Sequence, residues 1–354
     1  MTMILKLFRY TALIILSAIV SSSPVLGSNP SKPLAADLVK DGQIINITSP
    51  RYTSLFKELN GRYGFSNAEL LRLFHGVTIR KRVLELMDRQ YEALPYYKYY
   101  PIFINDRVVA EGRQLMVRYK KVLDRVEKEL GVERQIVMAI WGMESRYGQH
   151  QGGFKMFRTL NTMFDAYPRR RDFYRRQLIN YLLLCRENKV DPLTIKGSYG
   201  AAFGQTQFIP SSFREYAVDF DHDGKRDVWT SVPDVLASIA NYLRRFNWTF
   251  RAPVYVDLGS ELKAEPLMAA YKKGRNGLVS WQQVCDLQHV KIPKPAADKK
   301  LTMVGLELSE NKLRYVAGYP NFQAITKWNN SNRYAMAVTE LAEKLGLPEK
   351  HKGD

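Results

Sequence analysis

The feature that most limits what this chain can fold into is Ile140-Trp-Gly-Met-Glu-Ser-Arg-Tyr-Gly148. It closes a helical pattern that begins near Val132, in which Ile136, Val137 and Ile140 recur at helical spacing. Glu144 follows Ile140 by four residues and Val137 by seven, so in a helix the carboxylate continues the apolar stripe. Burying a charged acid is costly, and such a stripe has only a few resolutions. The acid is ion-paired to Arg146 or to an arginine elsewhere, or it turns to solvent at the helix end. Otherwise it stands with few charges around it, its pKa raised, as a proton donor near neutral pH. The stretch alone leaves these open.

The chain has 354 residues, 45% hydrophobic and 25% charged, enough for at least one large core and for two or three domains. This composition excludes bulk disorder. Lys6 and Arg9 precede the apolar run Thr11–Val20, which is short for a bilayer span, and Val25-Leu-Gly27 offers a small-residue cleavage site. Residues 1–27 therefore read as a secretory leader, with the mature chain starting near Ser28. No later segment reads as membrane-spanning, and no cysteine near the leader offers a lipid anchor. The expected location is the periplasm, as a soluble protein. Cys185 and Cys285 are too far apart for a zinc motif, and Cys185 falls in an apolar helical run as a small core residue. The formal charge is +18, or about +16 without Lys6 and Arg9, which favours anionic polymers or surfaces. For an exported chain, cell-wall glycan or lipid headgroups are better candidates than nucleic acid.

Taken in order, Ser28 to about Pro50 reads as a tether, followed by helices. Ser66-Asn-Ala-Glu69 is a capping-box pattern. The aromatic run Tyr96–Phe103 suits either core packing or stacking on sugar rings. One long charged helix is expected from Asp106 to about Leu130, ended by Gly131, and another from Asp172 to Asn188. Gly197–Ser212 is rich in small residues that allow close backbone approach to a ligand, but it lacks the ending of a phosphate-binding loop. In Asp219-Phe-Asp-His-Asp-Gly-Lys-Arg-Asp-Val-Trp-Thr230, three alternating aspartates precede Gly224 at the sharp turn of a calcium loop. Lys225 would offer its backbone carbonyl. Thr230 replaces the closing Glu, so Asp234 is the nearest closing carboxylate and Asp227 is a candidate through water. This pattern predicts one structural Ca2+ bound by Asp219, Asp221, Asp223, Lys225 and Asp234, and argues against a regulatory pair. Beyond Trp248 the texture changes to short strands, with a Pro/Lys-rich linker at Lys291–Lys300, and Phe322–Val338 returns to helix.

Together these stretches resemble the lytic transglycosylases of the membrane-bound B type, which have a lysozyme-like core. The matching segments are Ala139–Gly148, Tyr167–Arg170, Gly197-Ser198 with Gly204–Ser212, the Asp219 loop, and Ile325–Ser331. The resemblance implies cleavage of the glycosidic bond between N-acetylmuramic acid and N-acetylglucosamine in peptidoglycan without water. Glu144 would be the acid and then the base as the C6 hydroxyl closes a 1,6-anhydro ring. That accounts for the lack of a conspicuous second carboxylate, which ordinary glycosidases need. By the same resemblance Tyr99, Arg169, Arg170, Ser198, Gln207, Tyr242 and Asn329 would contact the glycan or line its cleft. The implied partners are peptidoglycan glycan strands and other cell-wall enzymes, with no organic cofactor. The sequence departs from the family at Trp328, where a tyrosine is common, and it shows no separate wall-binding repeat domain. The expected fold is mainly α (α+β). Its parts are the leader 1–27, a helical domain 28–120, and a lysozyme-like core 121–250 with the calcium loop. A small β-containing domain 251–320 and a C-terminal helix 321–354 returning to the core complete it. The rivals are a hydrolytic muramidase, with Asp165 or Asp191 as second carboxylate, an inactive wall-binding scaffold, and a calcium sensor.

Overall fold

The computed structural model describes residues 34–88, 94–296 and 298–347. The expected leader, the first part of the tether and the tail at 350–354 lie outside the described residues. Fifteen α-helices and two small sheets make up the described chain, so the fold is mainly α, as expected. No helix among the described residues is long and apolar enough to cross a membrane. The domains expected from sequence were contiguous, whereas the chain forms two compact units that each draw on two separate stretches. Of the described residues, 34–88 and 150–215 belong to the first unit, and 94–149 and 216–347 to the second.

In the first unit, helices Pro50–Tyr63, Asn67–Phe74 and Met156–Ala166 pack through aromatic edges. Tyr52 meets Phe164 at 5.1 Å and Phe74 meets Phe157 at 4.9 Å between ring centroids. The buried Tyr52 hydroxyl donates to Asn161 Oδ1 at 3.0 Å, which satisfies both polar groups inside an apolar layer. The described part of the expected tether is built into this unit. Ala35, Ala36 and Ile45 are buried, and Ile45 N donates to Val77 O at 2.9 Å. The polar composition hid these few apolar anchors. Ser66 caps the Asn67–Phe74 helix by accepting from Glu69 N. Helix Arg171–Glu187 carries the buried Cys185, and both cysteines are free thiols.

The second unit is built around helix Arg134–Ser145, buried continuously from Ile136 to Met143. The long charged helix expected over Asp106–Leu130 is two helices, Asp106–Arg118 and Lys120–Leu130. Tyr119 leaves the helical region between them, at φ −98° and ψ 20°, and its ring packs edge-on to Trp141 at 6.1 Å. The β-containing part is a four-stranded antiparallel sheet with Tyr255–Gly259, Lys312–Gly318, Leu301–Ser309 and Leu278–Val279 in that spatial order. Val256, Leu301, Met303 and Ala317 on this sheet share a core with Leu267 and Val284 from helices Glu265–Lys272 and Trp281–Gln288. The C-terminal helical run is also interrupted, into Pro320–Trp328 and Asn332–Lys344.

Candidate active site

Glu144 lies in the last turn of helix Arg134–Ser145. That helix stops because Arg146 and Tyr147 both adopt left-handed backbone, at φ 48° and 56°. Two consecutive non-glycine residues in this region are strained and need outside support. Tyr147 has it. Its hydroxyl donates to Val108 O at 3.1 Å, and glycines flank its ring. A Cβ at Gly112 would fall 2.3 Å from the Tyr147 hydroxyl, and one at Gly142 would fall 2.8 Å from the ring. Only glycine at these positions lets helix Asp106–Arg118 and the Glu144 helix close on the tyrosine.

The carboxyl of Glu144 is held by two neutral donors. Trp328 Nε1 donates to Oε1 at 2.8 Å, and the Tyr334 hydroxyl donates to the same oxygen at 2.6 Å. Among the described residues Glu144 makes no ion pair, so neither the Arg146 pairing nor a distant arginine accounts for this acid. Burial pushes the Glu144 carboxyl up to about 7, against the opposing pull of the hydrogen bonds from Tyr334 and Trp328. No neighbouring carboxylate contributes to that shift. Tyr334 is itself pushed far above the usual phenol range, first by burial and then by the charge of Glu144, so it stays a donor. With Oε1 occupied, the proton of the neutral acid resides on Oε2.

The interruption at Asn329–Ser331 makes this arrangement possible. It puts Trp328 at the end of one helix and Tyr334 in the first turn of the next, where Ser331 caps the chain by accepting from Tyr334 N. Tyr242 is buried and backs this pair. Its ring meets Trp328 edge-on at 4.7 Å, and its hydroxyl donates to Lys327 O at 2.6 Å. Tyr99 is also buried, and its pKa is raised first by burial and then by the charge of Glu144. Asn329 follows Trp328 directly, and its side-chain oxygen is buried without a hydrogen-bond partner among the described residues. Glu144, Tyr99, Tyr242 and Asn329 thus share the second unit, joined by Trp328 and Tyr334, two direct partners that were not among the expected site residues. A signal for Tyr334 was present: with Val338 and Leu341 it falls at helical spacing, and a buried tyrosine needs a partner for its hydroxyl.

The other expected contacts belong to the first unit. Ser198 Oγ accepts from Ala202 N at 3.1 Å and shapes its own loop. Gln207 has left-handed backbone at φ 50°, and its Nε2 donates to Gly204 O at 2.8 Å. Its Oε1 is buried without a partner among the described residues, an acceptor available to a ligand hydroxyl or amide. Arg169 pairs with Asp88 at 2.8 Å, and the Arg170 guanidinium lies over the Phe173 ring at 4.3 Å. The candidate second carboxylates are otherwise engaged. Asp165 pairs with Arg51 at 3.0 Å, and Asp191 Oδ1 accepts from Leu193 N within its own turn.

In the Asp219 loop, carboxylate oxygens of Asp219, Asp221 and Asp223 all lie within 4.8 Å of one another. An all-oxygen set at this spacing fits a hard cation such as Ca2+. Lys225 N donates to Asp223 Oδ1 at 2.8 Å. Asp234 is fully buried and spends its oxygens on backbone donors, Phe220 N on Oδ1 and Asp227 N on Oδ2, each at 2.7 Å. Asp234 therefore ties two backbone positions of the loop together, and it is not one of the three carboxylates that converge. Asp227 Oδ1 accepts from Trp229 N at 2.8 Å and Thr230 N at 2.9 Å, forming the turn into the next helix.

The pair of donors on Oε1 yields an expected result. Trp328→Phe removes a hydrogen bond that favours the carboxylate, so the Glu144 pKa moves further up. With Glu144 as the acid that the sequence resemblance implies, the alkaline limb of kcat/KM should then shift upward by about one pH unit. A pH–rate profile of wild type against variant checks this; an unmoved limb would show that Trp328 does not tune the acid.

A transglycosylase SLT domain matches residues 49–343. The chain is 28% identical over 312 residues to the membrane-bound lytic murein transglycosylase B of Escherichia coli strain K12, covering 84% of this chain and 83% of that one. It is similar in structure to the soluble lytic transglycosylase SltB1 of Pseudomonas aeruginosa, with a TM-score of 0.76 and 34% identity over 84% of this chain and 98% of that one. The Escherichia coli lytic transglycosylase Slt35, solved in complex with calcium, gives a TM-score of 0.76 and 28% identity over 87% of this chain and 96% of that one. By domain, sequence and structure, the chain belongs to the lytic murein transglycosylases with the SLT domain.

Proposed function

We propose that Glu144 carries both proton transfers of peptidoglycan cleavage in this lytic transglycosylase. Its neutral form donates from Oε2 to the oxygen linking N-acetylmuramic acid to N-acetylglucosamine, and the C1–oxygen bond breaks. The carboxylate so formed takes the proton of the muramoyl C6 hydroxyl as that oxygen bonds to C1, giving the 1,6-anhydro end and restoring the acid. No water enters. The observation that carries this reading is one carboxyl poised near pH 7 by burial, bonded only to neutral donors and shifted by no second carboxylate. A hydrolase of this kind would use a carboxylate pair. SltB3 of Pseudomonas aeruginosa, 31% identical to this chain, was solved with NAG-anhNAM-pentapeptide, a fragment with that anhydro end. In this reading Tyr99, Tyr242, Asn329, Ser198, Gln207, Arg169 and Arg170 contact or frame the glycan, and residues 1–27 direct export to the periplasm. The test is mass spectrometry of peptidoglycan digested by the mature protein. Products one water lighter than hydrolytic ones are expected, and reducible hydrated ends would overturn the reading in favour of a muramidase.

The Asp219 loop is assigned one structural Ca2+, with Asp219, Asp221 and Asp223 as carboxylate ligands and the Lys225 carbonyl beside them. Chelation should lower the melting temperature by about 5 °C, since an ion bound only by the folded state stabilises it by mass action. Asp219→Asn should melt at the lower temperature with or without calcium. Equal melting of the wild type in calcium and in chelator would remove the assignment.

A further inference from the structure

We infer that a cavity in the second unit is a binding site for an alkylammonium or guanidinium group on a short apolar stem. The cavity has a volume of about 220 Å³. It lies among the start of helix Arg134–Ser145, the segment Trp248–Tyr255 and the last turn of helix Asn332–Lys344. An apolar cavity of roughly 150 Å³ is enough to take a benzene-sized ligand. Ile136, Trp248, Phe250 and Leu347 supply apolar and aromatic wall.

Among the described residues three carboxylates and one guanidinium line the wall. Glu127, Glu133 and Glu343 face one arginine, Arg251, whose guanidinium lies over the Phe250 ring at 5.1 Å. Glu127 has its own cation, with Arg134 Nε donating to it at 2.8 Å, and Glu343 accepts from the Tyr255 hydroxyl at 3.0 Å. Glu133 differs. It is only 9% exposed, and it takes neutral donors, Trp248 Nε1 at 2.7 Å and Arg251 N at 2.5 Å. Among the described residues no ion pair reaches it, and burial first and then the charge of Glu127 push its pKa up. A buried carboxylate with N–H donors but no cation is incompletely compensated, because its solvation is lost and no opposite charge replaces it. A cation entering the cavity would supply that charge. The Trp248 and Phe250 rings would add cation–π attraction and cover the stem. An anion would meet the same field as repulsion. The site is separate from the reacting acid: Glu133 and Glu144 are eleven residues apart along one helix, about 16 Å.

The competing account makes Glu133 only a tether for the Trp248–Arg251 segment. The two accounts separate by NMR of the full mature protein, following the Trp248 indole N–H assigned through Trp248→Phe. The probes are n-pentylammonium, n-pentanol and pentanoate at matched ionic strength. Pentylammonium is expected to shift this resonance with a half-saturation concentration at least about ten-fold below that of pentanol, and pentanoate to leave it unmoved. Glu133→Gln should erase the preference for the amine with the other indole resonances unchanged. Glu343→Gln, which keeps the Trp248 partner in place, should weaken the amine several-fold if Glu133→Gln does not fold. Amine and alcohol acting alike, or neither moving the resonance, would overturn the site and leave the tether.

Discussion

Glu144→Gln is expected to lower turnover on peptidoglycan by about 10³-fold or more while making the protein harder to unfold at alkaline pH. The loss in rate follows from the proposed role of Glu144 as the group that gives and then takes the proton. The gain in stability follows from the raised acidity constant. The carboxyl titrates at about 7 in the folded state against a reference of 4.5, so the native state holds its proton more tightly than the unfolded chain does. Stability from this group is fully present below pH 4.5 and is lost as the pH rises through 7. At pH 8 the wild type therefore carries a penalty of about 3 kcal/mol that glutamine, which does not ionise, lacks. The amide oxygen can still accept from Trp328 and Tyr334. Urea melts at pH 8 and pH 5 check this: the variant should be the more stable at pH 8, with the difference shrinking towards pH 5. A variant less stable at both would mean that the carboxyl is a structural anchor.

The second large effect is expected at Asp234→Ala, with a loss of about 3 kcal/mol in unfolding free energy even in the presence of chelator. Asp234 is fully buried, and its two oxygens accept the backbone N–H groups of Phe220 and Asp227 from both ends of the acidic loop. Each such bond to a charged acceptor contributes about 1.5–3 kcal/mol, and alanine leaves both donors without a partner inside the protein. The decisive comparison is with Asp219→Asn. In chelator, Asp234→Ala should melt well below Asp219→Asn, because the Asp234 bonds to Phe220 and Asp227 are buried or half-buried, whereas those of Asp219 to Asp223 N and Gly224 N lie at the exposed turn and an asparagine keeps an acceptor there. Equal melting would mean that the Asp234 bonds contribute nothing of their own.

The chemistry of this protein was more legible in its sequence than its chain path was. Glu144 announced itself because a carboxylate in an apolar helical stripe has few resolutions, and the spacing of Asp219, Asp221 and Asp223 before Gly224 is specific. The interruptions were hidden. Tyr119 carries no turn signal, and its ring packs against Trp141 where the helix breaks, whereas Asn329-Asn330-Ser331 is a short turn-forming run that ends in the N-cap serine and was passed over inside a helical pattern. The convergence of Trp328 and Tyr334 on one oxygen was not visible, because a turn signal does not give the direction of the helices on either side of it. Asp234 was found by proximity to the loop, but its task of bonding two backbone donors follows from burial, which a linear pattern does not report. The interleaving of the compact units is likewise a matter of which helices pack, and periodicity only says that each helix has a face to bury.

The left-handed stop after Ser145 has one more consequence, carried by the backbone itself. It ends the helix one residue past Glu144, so the acid sits where aligned peptide dipoles gather about half a negative charge. This permanent field resists ionisation in the same direction as burial does. Neighbouring side chains can be exchanged and the field persists, since no side chain makes it. A change in the aromatic donors around this carboxyl therefore leaves one contribution that keeps a proton on it near neutrality. Extending the helix past Tyr147 would move the negative pole away and lower the acid's affinity for its proton.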